Sequence, residues 1–225
     1  MADRVSNVPV SKVQVDEIWG YCFKKEGHKT ADEADDPKIG DAYTFVGIEA
    51  KTKLVLCYEV GKRDGETALR FIGKLRNATG RRFQLTTDGF RPYVGAVEEV
   101  FGSEIDYAQL VKLYSSDETT RERYSPGEVT GAIPTPIMGD PAWEHISTSY
   151  VERNNLTMRM QMRRLTRLTN GFSRKWENLE AAVALHFGHY NFCQIHGTLR
   201  VTPAMEAGIT DHVWTIEDML GKVGL

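Results

Sequence analysis

Three carboxylates sit at positions where an acid calls for a reason. Asp16 lies within Val13-Gln14-Val15-Asp16-Glu17-Ile18-Trp19, a largely apolar, β-branched stretch. A carboxylate there is costly unless it is paired or holds a metal ion. Asp88 falls where Phe83-Gln84-Leu85-Thr86-Thr87 runs into Gly89. The carboxyl ends of strands are where α/β sheets place their ligands. Glu152 heads a run in which Arg153 to Lys175 contains six arginines, one lysine and no acid, in a chain of net charge −3. On a helical wheel Glu152, Arg159, Arg163 and Arg167 share one arc, and Tyr150, Val151, Met158, Met162, Leu165, Leu168 and Phe172 share another. The second arc suits a core. The first sets an acid beside guanidinium groups, a pairing in which the acid holds a hard cation and the arginines hold a polyanion. If all three acids converge, they have the makings of a two-metal site for in-line displacement at a phosphodiester, with ions roughly 4 Å apart.

Convergence requires particular elements around these residues. Residues 13–23 predict a strand, and residues 42–50 and 54–60 predict a hairpin turning at Lys51-Thr52-Lys53. Asp64 is expected to cap a helix with Leu69, Ile72 and Leu75 on its apolar face, ending near Gly80. A strand at 83–87, a helix at 91–101 and a strand at 105–113 follow. This order predicts an α/β fold with an antiparallel start. Residues 114–145, rich in proline and glycine, predict a long irregular insertion. The basic helix comes next, then a long helix over 173–195 and a short tail packed across the surface. The expected organisation is an arm at 1–12, a catalytic domain at 13–172 and a C-terminal helical extension at 173–225.

Other signals carry less. No apolar run approaches the ~18 residues of a membrane span, so no membrane partner is expected. Cys22, Cys57 and Cys193 are odd in number and widely spaced, which points to a reducing, cytoplasmic setting. His186, His189, Cys193 and His196 imitate a zinc site, but on one straight helix they span about 15 Å, too far for one ion, so helix packing is expected instead. Trp19, Trp176 and Trp214 are expected as anchors, Trp143 is allowed a DNA contact, and His145 is expected on a surface loop. Glu17 alternates to the face opposite Asp16 and is expected to be a paired or rim acid.

The local sequences add a family likeness. Val-Asp-Glu-Ile-Trp at 15–19, Thr-Thr-Asp-Gly-Phe at 86–90 and Tyr-Val-Glu-Arg-Asn-Asn at 150–155 together resemble the DDE transposases of the IS1 insertion-sequence family. So do His189-Tyr190-Asn191-Phe192 with His196, and Thr202-Pro203-Ala204. The likeness runs from about residue 11 to 215 and implies an RNase H-like mixed sheet flanked by helices. It implies two Mg²⁺ or Mn²⁺ ions on Asp16, Asp88 and Glu152, with DNA cleavage followed by strand transfer. Arg153, Asn155, Arg159, Arg163, Arg164 and Arg167 are the expected DNA contacts, Arg159 two helical turns beyond Glu152. Joining element ends to a target implies a homo-oligomer. Family members carry an N-terminal zinc-binding and helix-turn-helix region, whereas about a dozen residues precede the first strand here, which leaves three expectations: a fragment, the partner of a separate DNA-reading polypeptide, or a decayed copy. The alternatives are a nuclease of the same fold acting on hybrid or branched nucleic acid, and a transposase-derived regulatory protein that binds DNA.

Overall fold

The computed structural model describes residues 5–114, 129–166 and 169–221. Six strands form one sheet: β1 (Lys12–Cys22), β2 (Gly40–Glu49), β3 (Val55–Gly61), β4 (Gln84–Asp88), β5 (Asp106–Tyr114) and β6 (Val129–Met138). Their order across the sheet is β3-β2-β1-β4-β5-β6. β1, β2 and β3 form an antiparallel meander, β1, β4 and β5 run parallel, and β6 returns antiparallel to β5. This mixed sheet, with helices on both faces, is the expected α/β fold of RNase H-like type.

The alternation along β1 builds two cores. Val13 and Val15 face a cluster with Phe71, Ile72 and Leu75 of α1 (Gly65–Ala78) and Tyr93 and Val97 of α2 (Pro92–Phe101). Ile18 and Cys22 face the other way, onto Val151 and Met158 of α3 (Ser149–Gln161) and Val183 and Phe187 of α4 (Trp176–Phe192). Asp64 caps α1 as expected, its side chain accepting from the Thr67 N–H at 2.8 Å. That hydrogen bond satisfies one of the helix's orphan donors.

Three expectations change. Residues 114–145 are not irregular throughout, because β6 occupies 129–138 within them. Pro134 and Pro136 are tolerated because β6 is an edge strand, where a missing N–H costs no ladder bond on the open side. The basic helix ends at Gln161, and Arg163–Leu165 form a separate turn of 3-10 helix. That turn lies against β1 at Gly20, where a side chain would press Leu165 to 2.9 Å. Val151, Met158, Met162 and Leu165 are buried as expected, but Tyr150 is exposed and Phe172 stacks on Tyr21 at 5.0 Å. Leu168 lies outside the described residues. The tail is more than a surface strap: in α5 (Pro203–Glu206) Ala204 is buried, Trp214 stacks on Phe192 at 4.3 Å, and Met219 of α6 (Ile216–Gly221) is buried.

Candidate metal centre

Strand pairing alone brings two of the three acids together. β1 and β4 run parallel with Val15 level with Thr87, so Asp16 and Asp88 are the next residues on each strand. Asp88 closes β4, and its Oδ1 accepts from the Phe90 N–H at 3.0 Å, which fixes the carboxylate at the turn. Glu17 points to the α2 face, as alternation requires, yet it is no rim acid: its side chain is 3% exposed. Since Asp88 ends its strand, it is reached from both faces. One carboxylate oxygen from each of Asp16, Glu17 and Asp88 lies within 4.8 Å of the others.

Glu152 faces this group from α3 but is held by other partners. Lys112 Nζ of β5 sits 2.7 Å from its Oε1, which also accepts from the Thr148 hydroxyl. The negative charge of Glu152 still reaches Asp16 and disfavours its ionisation. Side-chain hydrogen bonds fasten the first half of α3 to β1. Gln14 Oε1 accepts from the backbone N–H groups of Tyr150 and Val151 at 2.7 and 3.2 Å. Asn155 Nδ2 donates to Asp16 Oδ2 at 2.9 Å.

Burial holds all three acids above their ordinary pKa values. Burial, then the charge of Asp88, pushes Asp16 up to about 6. The same two causes push Glu17 up to about 7, against the pull of Tyr93 and Arg63. Burial raises Asp88 as well, opposed by the Phe90 N–H and by Arg63. Arg63 is the local counter-ion. Its Nε lies 3.1 Å from Glu17 Oε2, its Nη2 lies 3.2 Å from Asp88 Oδ2, and its guanidinium stacks 4.1 Å from the Phe90 ring centroid. Glu17 is buried beside the equally buried Tyr93 hydroxyl, the hydrogen-bond donor that lowers it. An all-oxygen donor set fits a hard divalent cation.

The expected DNA contacts divide. Arg153 and Arg163 are exposed. Arg164 donates to Ser173 Oγ at 3.2 Å. Arg159 turns inward, donating to the carbonyls of Leu165 at 2.7 Å and Trp19 at 3.4 Å, so it ties the end of α3 to β1. Asn155 is buried on Asp16 rather than offered to solvent. Arg167 lies outside the described residues. His186, His189, Cys193 and His196 form no ligand cluster among the described residues. His186 packs beside Phe187 and Tyr190, and burial lowers it to about 4. Trp176 and Trp214 are buried, Trp19 is half-buried, Trp143 is exposed and His145 is half-buried.

Sequence reasoning missed Arg63 and Lys112, and it expected Glu17 to be paired or at the rim: it is paired, with Arg63, but it also belongs to the acid cluster. Lys112 had a readable sign, being a lone cation in the strand Ile105–Leu113, where it needs an acid nearby. Arg63 had none, since its position follows only from the order of the strands.

No family model matches this sequence, and no curated protein matches it. Among solved structures, the chain is similar to piggyBac transposase in a synaptic complex with hairpin DNA, at 11% identity and a TM-score of 0.35, over 96% of this chain and 52% of that one. It therefore spans about half the length of that transposase. It is also similar to Endonuclease V from Bacillus subtilis, at 17% identity and a TM-score of 0.28, over 83% of this chain and 88% of that one.

Proposed function

We propose that this chain is the catalytic protein of a DDE transposase, cutting DNA at the ends of an insertion element and joining them to a target. The observation that carries the reading is the meeting of Asp16, Glu17 and Asp88 within 4.8 Å at the end of two parallel strands. The motif resemblance supplies the reaction class and the IS1 family.

In this reading Asp16, Glu17 and Asp88 would hold divalent metal, Mg²⁺ or Mn²⁺, and Glu152 would complete a second ion's site on release from Lys112. The ions, when bound, activate the attacking oxygen and stabilise the leaving one. The chain's own residues do the rest. Asn155 orients Asp16 by donating to Oδ2, and Gln14 sets the height of α3 on β1. Arg63 and Lys112 neutralise the acids until metal and DNA arrive. Arg153 and Arg163 contact phosphates. DNA is the substrate and the working form is a homo-oligomer.

Asp88→Asn tests the reading. It removes a charge at the strand end and preserves shape. Mg²⁺-dependent nicking and strand transfer should be abolished, with DNA binding retained. Activity equal to that of the unaltered protein eliminates the site.

A further inference from the structure

The helix that carries Glu152 has a second functional face. About 100° around α3 from Asn155, Asn154 is 3% exposed, and both its amide oxygen and its amide nitrogen are buried without a hydrogen-bond partner. Leaving both polar atoms unpaired forfeits the hydrogen bonds each would make to water in the unfolded chain. Such a group calls for a partner the folded chain does not itself provide.

Asn154 lines a cavity of about 490 Å³ between α3, the β2–β3 turn and the residues following α4. Its walls combine three kinds of chemistry. Lys53 and Arg153 supply positive charge, the exposed Tyr150 supplies ring surface, and Asn154 and His196 supply hydrogen bonding. Lys53 has its ammonium 3.1 Å from the Tyr150 ring centroid and holds a left-handed backbone, φ +60°, at the turn. His196 Nδ1 accepts from the Thr198 N–H at 3.3 Å. Burial and the neighbouring Lys53 hold its pKa below the ordinary value.

A carboxamide with one free donor and one free acceptor matches the edge of a nucleobase, as side-chain amides do when they read adenine. Aromatic side chains offer base-stacking surface. Two cations suit the attached phosphate. The volume lies at the lower end of small-molecule sites, about 300–1,000 Å³, which accommodates one nucleotide and not a duplex.

We propose that this cavity is a nucleotide pocket that holds one unpaired deoxynucleotide, its base at Asn154 and its phosphate at Lys53 and Arg153. The choice of a DNA nucleotide rests on the DNA-processing reading of the acid cluster. The pocket itself uses none of those acids. Glu152 and Asn155 serve the cluster while Arg153 and Asn154 serve the pocket, so an unpaired nucleotide held here lies one helix face away from the candidate metal centre.

The test is titration of the full chain, without divalent metal, with the four deoxynucleoside 5′-monophosphates, deoxyribose 5-phosphate, inorganic phosphate, and an oligonucleotide carrying one unpaired 2-aminopurine. The expected result is saturable binding of a mononucleotide, of the unpaired base, or of both, at least tenfold tighter than deoxyribose 5-phosphate. Binding of the oligonucleotide alone assigns the pocket to a nucleotide within a strand, and binding of the free compound also makes it a general nucleotide receptor. Asn154→Leu should weaken binding tenfold or more without lowering thermal stability, since it removes an unpartnered amide. Lys53→Gln should weaken it several-fold, which serves if the first variant fails to fold. Asp88→Asn should leave it unchanged, so loss of catalysis and loss of this pocket are separable. Equal binding of phosphate and mononucleotide, no saturable binding, or unchanged affinity in both Asn154→Leu and Lys53→Gln overturns the proposal.

Discussion

Asp16 and Glu17 point to opposite faces of one strand, yet both reach Asp88. Each is held above its ordinary pKa, about 6 against 3.8 for Asp16 and about 7 against 4.5 for Glu17. A raised carboxyl pKa means that the folded state binds its proton more tightly than the unfolded state does. The stability these groups contribute is therefore complete below about pH 4 and is lost as pH rises through 6 to 7. Each shift corresponds to a penalty on the order of 2–3 kcal/mol when the group is ionised. Thermal melts of the metal-free protein should show the melting temperature falling from pH 5 to pH 8 on this account. Mg²⁺ should raise it at pH 8 and have little effect at pH 5, where the acids carry protons. Glu17→Gln should stabilise the metal-free protein at pH 8 by on the order of 2 kcal/mol, flatten the pH profile and weaken Mn²⁺ binding by calorimetry. A variant less stable at pH 8, or one with full Mn²⁺ affinity, contradicts the place given to Glu17. The residue types at this site were legible at 16 and 88, because an acid in an apolar strand and one at a strand-end turn each require a partner. The part of Glu17 was not legible, because alternation predicts a side chain's face and not how far it reaches past a neighbouring strand's end.

At the scale of elements, periodicity found β1 to β5, α1, α2 and α4, and it failed in two places for local reasons. β6 carries Pro134 and Pro136, which demote a run on propensity but are harmless on an outer edge. The basic run kept its helical wheel through Phe172 on paper, yet α3 stops at Gln161, where Arg159 donates to the Leu165 carbonyl and closes the next turn. Contacts that cross between elements were invisible in the sequence. Asn191 of α4 is fully buried, accepts from the Val55 N–H at 3.0 Å and donates to the Val55 carbonyl at 2.8 Å. Replacing it by leucine keeps the volume but strands two backbone groups. Asn191→Leu should destabilise the fold by about 3 kcal/mol, read from denaturant midpoints. Asn155→Ala should act differently. Stability should change little, whereas metal-dependent cleavage falls by about tenfold because Asp16 loses its orienting donor. Full activity in that variant contradicts the positioning role.

Over the whole molecule, a net charge of −3 leaves the basic segment as a local patch. On the proposed reading, DNA affinity should fall with salt along a modest slope, set by a small number of phosphate contacts. Arg163→Gln should reduce the slope of log affinity against log salt by about one and weaken all sequences alike, measured between 50 and 200 mM salt. An unchanged slope removes Arg163 from the interface.

The sheet's two outer strands also constrain how copies of this chain associate. On one side the backbone of Val55 is already engaged by a helix side chain, and on the other two prolines interrupt the row of donors. Neither margin offers an unbroken ladder for an incoming strand to template on. Growth of the sheet from molecule to molecule, the usual seed of filaments, is thereby discouraged at both margins. Any association between copies falls to helical and loop surfaces, and the strand ends bearing the acids lie away from both margins.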